Sequence, residues 1–357
     1  MADISAPHRA SVIGTGLIGG SIGLALRAKG WHVSGTDHDA SVAERALELG
    51  AIDAIGIDPD SSITFVAAPV RAIAGQVRRA LAETTGAVTD VGSVKASVAA
   101  LIDDPRYVGG HPMAGSEQLG VDGATPDLFE GAVWVLTPVF GTDSDHFATV
   151  DAVVRSLGAD VVALPPDRHD ALVAVVSHVP HLTAAALMGI ANERADEHAA
   201  LLRLAAGGFR DMTRIAAGSP TIWPDICREN QAAIVDVIDR LTTELIRLRG
   251  LVVDGDHDQL LDTLERAQAT RRNLPTRVVR PAEVAEVRIP VPDRDGVIAE
   301  VSTLASEMGI NIADFEIAHS SEGDRGVLIL LVDTERAESY RNGLIDRGYR
   351  PAVSYLD

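Results

Sequence analysis

The sequence predicts an α/β doubly wound, mostly parallel sheet, then an all-α segment, then a small βαββαβ module. Three observations carry that reading. Apolar runs of strand length alternate with helical stretches and glycine-containing turns up to about residue 165. The alternation stops after "LPPDRHD", and Ala171 to about Ala269 reads as several long helices. Beyond residue 283, six short segments spell strand, helix, strand, strand, helix, strand. At 357 residues and 46% hydrophobic content, the chain has material for two or three domains of roughly 100–200 residues each. The expected division is 1–165, 166–273, a linker over 274–283, and 284–357.

The first module opens with "RASVIGTGLIGGSIGLALRAKG", which joins a β-rich run, Ala10 to Ile13, to a glycine loop and an apolar helix ending at Gly30. Gly14, Gly16 and Gly19 match G-x-G-x-x-G. The match follows a strand, opens a helix and precedes a second strand, "HVSGTD", ending in Asp37, which is the context of a Rossmann dinucleotide fingerprint. Gly14 permits the tight turn, and Gly16, with Leu17 and Ile18 in the first helical turn, lets backbone amides approach a pyrophosphate. Gly19 lets the helix lie close to the strand. Asp37 accepts from the adenosine ribose, and its charge repels a 2′-phosphate, which favours NAD over NADP. His38 follows it where an arginine would suit NADP.

Further apolar runs end in loops at "ITFVAAPV", "AVTDVGSVK", "YVGGHPMAGSE" and "AVWVLTP". Ligands in such sheets sit beyond the carboxyl ends of the strands, which is where Pro69, Ser93 and His111 fall. Pro69 is assigned to the cofactor. "GGHPMAGSE" sets His111 between two glycines and a proline, and reads as a loop that displays the imidazole. Ser93 has two readings, as the N-cap of the helix "VKASVAAL" or as a hydroxyl that orients the imidazole.

In the helical middle, "DALVAVVSHVPHLTAAALMGIANE" carries Ser177, His178 and His181, with the histidines three apart and Pro180 between them. They are read as satisfied core or interface residues rather than metal ligands, since no carboxylate or cysteine pattern accompanies them. "AAGGFRDMTRIAAGSPTIWPDI" holds Arg210 and Arg214 four residues apart. Two readings stand for them: a guanidinium fork for a substrate carboxylate, or a salt bridge with Asp211 or another acid. The stretches from Ile222 to Leu251 and from His257 to Asn273 look like packing or dimer helices.

A net charge of −20 argues against a nucleic-acid partner, because phosphate binding needs clustered Lys and Arg. No uncharged run is taken to approach the ~20 apolar residues of a membrane span, and the N-terminus lacks a basic region followed by an apolar one, so a cytoplasmic protein is expected. Cys227 is the single cysteine, which excludes an intrachain disulfide and a cysteine-based metal cluster.

"GTGLIGGS", "DVGSVK", "GGHPMAGSE", "SHVPH" and "FRDMTRIA", in that order, resemble the prephenate/arogenate dehydrogenase family of tyrosine biosynthesis over about three quarters of the chain. The resemblance implies an NAD-binding domain followed by a helical dimerisation domain, a homodimer, and prephenate as substrate in preference to arogenate. It also implies site roles. His111 accepts a hydrogen bond from the ring hydroxyl, Ser93 holds it, Arg214 binds carboxylate, and His181 stands at the substrate entrance. Ser177, Ser116 and Glu117 line or gate the pocket. A β-hydroxyacid dehydrogenase, the competing enzyme class, needs a lysine on its helical domain, and Ala171 to Gly218 contains none. A non-catalytic NAD-binding amino-acid sensor leaves His111 and Arg214 without a purpose.

After the basic, proline-containing "RRNLPTRVVRPAE", the βαββαβ succession is that of a ferredoxin-like domain. "PDRDGV" and "GINIADFEI" resemble the ACT family of amino-acid-sensing domains. By that resemblance Asp295, Gly296, Asn311 and Ile312 line an effector site, with tyrosine as the expected feedback ligand. A dimerisation module with an unused ligand site is the alternative.

Overall fold

The computed structural model describes residues 8–115, 118, 120–195, 207–272, 284–292, 294, 296–319 and 325–355. Ser116, Glu117, Asp295 and the expected linker 274–283 lie outside the described residues. The chain divides into two compact units, Met1–Gly189 with Ile215–Thr242, and Ile190–Arg214 with Thr243–Asp357.

The first unit is built on β1 (Arg9–Ile13), α1 (Leu17–Ala28), β2 (His32–Thr36), α2 (Ala40–Glu48), β3 (Ala54–Ile55) and β4 (Ile63–Val66). α3 (Val70–Glu83), β5 (Ala87–Asp90), α4 (Ala96–Ala99), β6 (Tyr107–Pro112), β7 (Val133–Thr137), α5 (Ser144–Ser156) and β8 (Asp160–Ala163) complete it. The sheet order is β3-β2-β1-β4-β5-β6-β7-β8, and every pairing is parallel except β6 with β7. The order reverses between β1 and β4, which opens a crevice at the carboxyl ends of those strands. The inner strands β4 and β5 are buried at every position, as strands covered on both faces must be. The core joins Phe65, Phe129 and Trp134 to aliphatic residues of β1, β4 and α1.

"GGHPMAGSE" departs from the display-loop expectation at its start. Gly109 to Pro112 continue β6, all six residues of that strand are buried, and His111 pairs with Val135 across an antiparallel ladder. Close approach explains the two glycines. A Cβ on Gly109 would lie 2.4 Å from Thr137 Oγ1, and one on Gly110 would lie 2.6 Å from the Asp90 carbonyl oxygen.

α6 (Pro166–Val173) starts with proline at its first turn, where the missing amide costs nothing. A π-helical turn over Ala174–His178 joins it to α7 (Val179–Ala195). The bend expected from Pro180 therefore falls as a π-turn just before it, a known way to absorb a lost backbone bond. The run Pro166–Glu193, 28 residues with a mean hydropathy of 1.6 over its best window, is long and apolar enough to cross a bilayer, which corrects the sequence expectation. Asp167, Arg168, Asp170 and Glu193 lie at its two ends, and between them the stretch from Ala171 to Asn192 contains no Asp, Glu, Lys or Arg. α8 (Gly207–Thr213), α9 (Trp223–Glu229), α10 (Gln231–Asp254) and α11 (His257–Arg272) follow. Ala174, Val179 and Ile234 form a small core with Leu182, Cys227 and Leu241 around them, so Cys227 packs as a structural residue.

The second unit holds β9 (Val284–Pro292), α12 (Val297–Glu307), β10 (Ile312–His319), β11 (Arg325–Asp333), α13 (Thr334–Asp346) and β12 (Ala352–Tyr355), in the strand and helix succession read from the sequence. Its four-stranded sheet is antiparallel, in the order β10-β11-β9-β12. Val287, Ile289, Leu328 and Leu330 of the sheet and Val301, Leu304, Tyr340 and Leu344 of the helices make its core. Tyr340 is fully buried and its hydroxyl donates to the Val301 carbonyl at 2.7 Å, which answers the one polar atom it brings inside.

Candidate active site

The nucleotide end of the sheet follows from three glycines with different duties. Gly14 sits at φ +92°, and a Cβ there would strike the Ala67 carbonyl oxygen at 2.1 Å, so the turn presses on the end of β4. A Cβ on Gly19 would lie 1.8 Å from the Gly14 oxygen and 2.9 Å from Val12, so this glycine lets α1 settle on β1. Gly16 faces open space and is the N-cap of α1 without a side-chain cap, which leaves the amides of the first turn, at Leu17 and Ile18, directed outward. Asp37 lies just beyond β2 with its side chain only 8% exposed. One of its oxygens accepts the Thr15 amide at 2.8 Å and the other the Asp39 amide at 3.1 Å. The Thr15 hydroxyl is buried without a partner among the described residues. Pro69 is the N-cap of α3 at the end of β4, one strand from β1. Open space over Gly16, outward amides and a fixed carboxylate fit a dinucleotide.

The second cluster gathers at the carboxyl ends of β5 and β6. Lys95 is fully buried and donates to the Asp90 carboxylate and to the Gly110 carbonyl, the latter at 2.7 Å. Tyr107 donates its hydroxyl to Asp90 Oδ1 at 2.8 Å, and burial first, with Asp90 beside it, raises that phenol well above its ordinary value. Burial pulls the Lys95 ammonium below its ordinary value while Asp90 opposes the fall. A buried pair of this kind holds register, and it fixes the strand one residue before His111.

His111 is 9% exposed, and its Nδ1 lies 2.8 Å from His169 Nε2. His169 Nδ1 lies 2.8 Å from Asp170 Oδ1, and both residues come from α6. Asp170 also accepts the amides of Lys95 at 2.8 Å and Ala96 at 2.9 Å, so it caps α4 across 75 residues of chain. The N-cap position of α4 is thus Lys95, and the Ser93 N-cap reading gives way to Asp170. Asn230 donates to the Asp170 backbone carbonyl at 2.8 Å and lies 3.2 Å from His178 Nδ1, tying α6, the π-turn and α10 together. Burial, then His169, Lys95 and His178, hold the His111 imidazole well below its ordinary value, so the ring is neutral at neutral pH.

Ser93 is half-buried in the segment between β5 and α4, and among the described residues its hydroxyl makes no hydrogen bond to His111. His178 is buried, and burial depresses it to about 4. His181 is half-buried and stacks on Trp223, ring centroids 3.7 Å apart at 13°, while His178 meets the same indole edge-on at 6.1 Å. Ser177 is half-buried on the π-turn. Arg210 lies in α8, and Arg214 opens a 3₁₀ turn, Arg214–Ala217, directly after it. Both arginines are exposed, and neither pairs with Asp211 or any other described carboxylate. In the second unit Gly296, at φ +85°, precedes α12 and Asn311 follows it, so these effector candidates stand at opposite ends of one helix. Ile312 opens β10.

Sequence reasoning missed His169, Asp170, Lys95 and Asn230. The lysine was inside a quoted motif, and "RHD" stood at the start of a helix after a proline pair. Only the fold shows that β6 and α6, 58 residues apart, bring His111 against His169.

Residues 22–163 match the prephenate dehydrogenase nucleotide-binding domain, and residues 165–266 match the prephenate dehydrogenase dimerization domain. The chain is 34% identical to the prephenate dehydrogenase of Bacillus subtilis over 346 residues, covering 91% of this chain and 93% of that protein. It is 32% identical to the cyclohexadienyl dehydrogenase of Zymomonas mobilis, covering 74% and 96%. Among solved structures it resembles prephenate dehydrogenase from A. aeolicus in complex with hydroxyphenyl propionate and NAD+, at 29% identity and a TM-score of 0.70 over 75% of this chain and 99% of that one. It also resembles Synechocystis arogenate dehydrogenase, at 30% identity and a TM-score of 0.64 over 74% and 98%. With a nucleotide crevice, a buried neutral histidine on the same sheet edge and this likeness along nearly its whole length, the chain belongs to the prephenate dehydrogenase family.

Proposed function

We propose that the chain catalyses the NAD-dependent oxidative decarboxylation of prephenate to 4-hydroxyphenylpyruvate, a step of tyrosine biosynthesis, as a cytoplasmic homodimer. The observation that carries this reading is His111: a buried imidazole, neutral at working pH, held through Nδ1 so that Nε2 is the nitrogen that acts. The Gly14 to Gly19 turn and Asp37 would hold NAD, which would supply the acceptor for the hydride lost from C4 as CO₂ leaves C1 and the ring becomes aromatic. His111 draws on the C4 hydroxyl proton, which eases loss of the hydride. Its neutrality is what the task requires, since an imidazolium has no lone pair to offer.

Arg214 binds a substrate carboxylate with its guanidinium fork, and its exposure without a carboxylate partner among the described residues supports that role over a structural salt bridge. His181, braced by Trp223, stands at the substrate entrance, and Ser177, Ser116 and Glu117 line or gate the pocket. Arogenate is the second reading, favoured by the likeness to arogenate and cyclohexadienyl dehydrogenases. NADH formation by the purified protein with NAD and prephenate, beside a parallel reaction with arogenate, tests the reaction class and the choice. Turnover on neither removes the reading.

The C-terminal module is read as an ACT-like regulatory domain that binds tyrosine. An apolar cavity of about 280 Å³, lined by Ile298, Val301, Ser302, Ile312, Phe315, Leu328 and Leu330, supports that reading by offering room for an aromatic ring. Ile298→Trp, placed to fill it, is expected to abolish tyrosine inhibition in the full-length protein and to leave the uninhibited rate intact.

A further inference from the structure

The hydrogen bonds from Asp170 to His111 have a direction, and it follows from which atoms can donate. Asp170 Oδ1 accepts the Lys95 amide and Oδ2 the Ala96 amide, and a carboxylate that takes backbone donors on both oxygens presents lone pairs to its other neighbours. The proton between Asp170 and His169 therefore sits on His169 Nδ1. A neutral imidazole protonated there has its lone pair at Nε2, so the 2.8 Å contact with His111 is made by a proton on His111 Nδ1. His111 is left with its lone pair at Nε2. Water does not compete along this row, because Asp170 is 5% exposed and His169 1%.

We propose that His169 and Asp170 are positioning residues that fix His111 as its Nδ1–H tautomer, so that Nε2 presents a lone pair to the substrate hydroxyl. The proposal rests on the reading of His111 as the hydrogen-bond acceptor. No bond in the row forms or breaks. As Nε2 draws on the hydroxyl proton, the positive character growing on His111 is answered through His169 by the Asp170 charge. Lys95, paired with Asp90 on the far side of Gly110, and His178 on the π-turn are the other titratable groups that act on this ring. Lys95 disfavours full protonation of His111, and Asp170 favours its polarisation, so the ring is an acceptor that stays neutral at rest. Asn230 donates to the Asp170 backbone carbonyl and stands beside His178, which ties α6 to the π-turn.

Nitrogen NMR of the full-length protein labelled at histidine reads the tautomer without reference to activity. The wild type should show a protonated Nδ1 and an unprotonated Nε2 at His111. In Asp170→Asn, where an amide nitrogen replaces one of the two accepting oxygens and the charge is lost, these signals should exchange or mix. Its kcat should fall about a hundredfold while KM for prephenate and Kd for NAD stay within about twofold. If that variant does not fold, His169→Gln keeps the carboxylate and its two backbone bonds and carries the same readouts with the same expected loss. A tautomer or a kcat that stays at its wild-type value in a folded variant overturns the proposal. Unchanged turnover in His111→Asn would instead remove the acceptor role itself, so the two failures are distinct.

Discussion

His111 combines burial with a committed Nδ1, and this decides its pH behaviour. Burial, with the positive character of Lys95 and the neighbouring His169 and His178, holds the ring well below the ordinary 6.5, so protonation, which removes the acceptor, sets in only well below that value. The acid limb of kcat/KM is therefore expected well under pH 6.5, and a limb centred near 6.5 would speak against His111. Arg214→Gln should raise KM for prephenate about 10- to 100-fold, the worth of a charged hydrogen bond, with kcat nearly unchanged. Steady-state kinetics at saturating NAD separates the two constants. At this scale the sequence was legible where a motif sets the local backbone, at Gly14, Gly16 and Gly19. It was silent where the role comes from a neighbour distant in sequence. Nothing in "RHD" says that His169 meets His111, or that Asp170 closes the amides of α4.

Among the elements, the turn between β1 and α1 offers a contrast between two glycines. Gly19→Ala places a methyl group against the Gly14 oxygen and Val12, an overpacking expected to destabilise the fold by ~1–3 kcal/mol and to weaken nucleotide binding. Gly16→Ala meets nothing within 4 Å, so thermal stability should be kept while affinity for NAD falls. Thermal melts beside NAD titrations check both. This strand–turn–helix was fully readable, because glycine spacing, strand composition and the following Asp37 agree with one another. β6 was read less well. Two glycines beside a proline signal a loop, and here they signal strands packed so closely that a side chain would not fit over Thr137 or the Asp90 carbonyl. The antiparallel β6–β7 pairing has no signature in either strand taken alone. The π-turn before Pro180 was visible only as an expected bend.

For the whole molecule, the depressed histidines make stability depend on pH. Below an unfolded value of 6.5 the unfolded chain takes up a proton on His178 that the folded chain refuses until about pH 4, so stability should fall as pH drops through that window and then level. For His178 the full loss is about 3 kcal/mol, and His111 adds to it in the same direction. Urea unfolding at pH 7 and at pH 4, compared with the same pair for His178→Asn, measures it: the variant should lose less between the two. The succession of α/β sheet, helices and small antiparallel sheet was legible from end to end, since each changes the period of the apolar pattern. Turnover and NAD affinity of the wild type against His111→Asn decide whether the buried, neutral His111 takes part in prephenate oxidation. A kcat lower by at least about a hundredfold with the Kd for NAD unchanged is expected. A variant that turns over prephenate at the wild-type rate would contradict it.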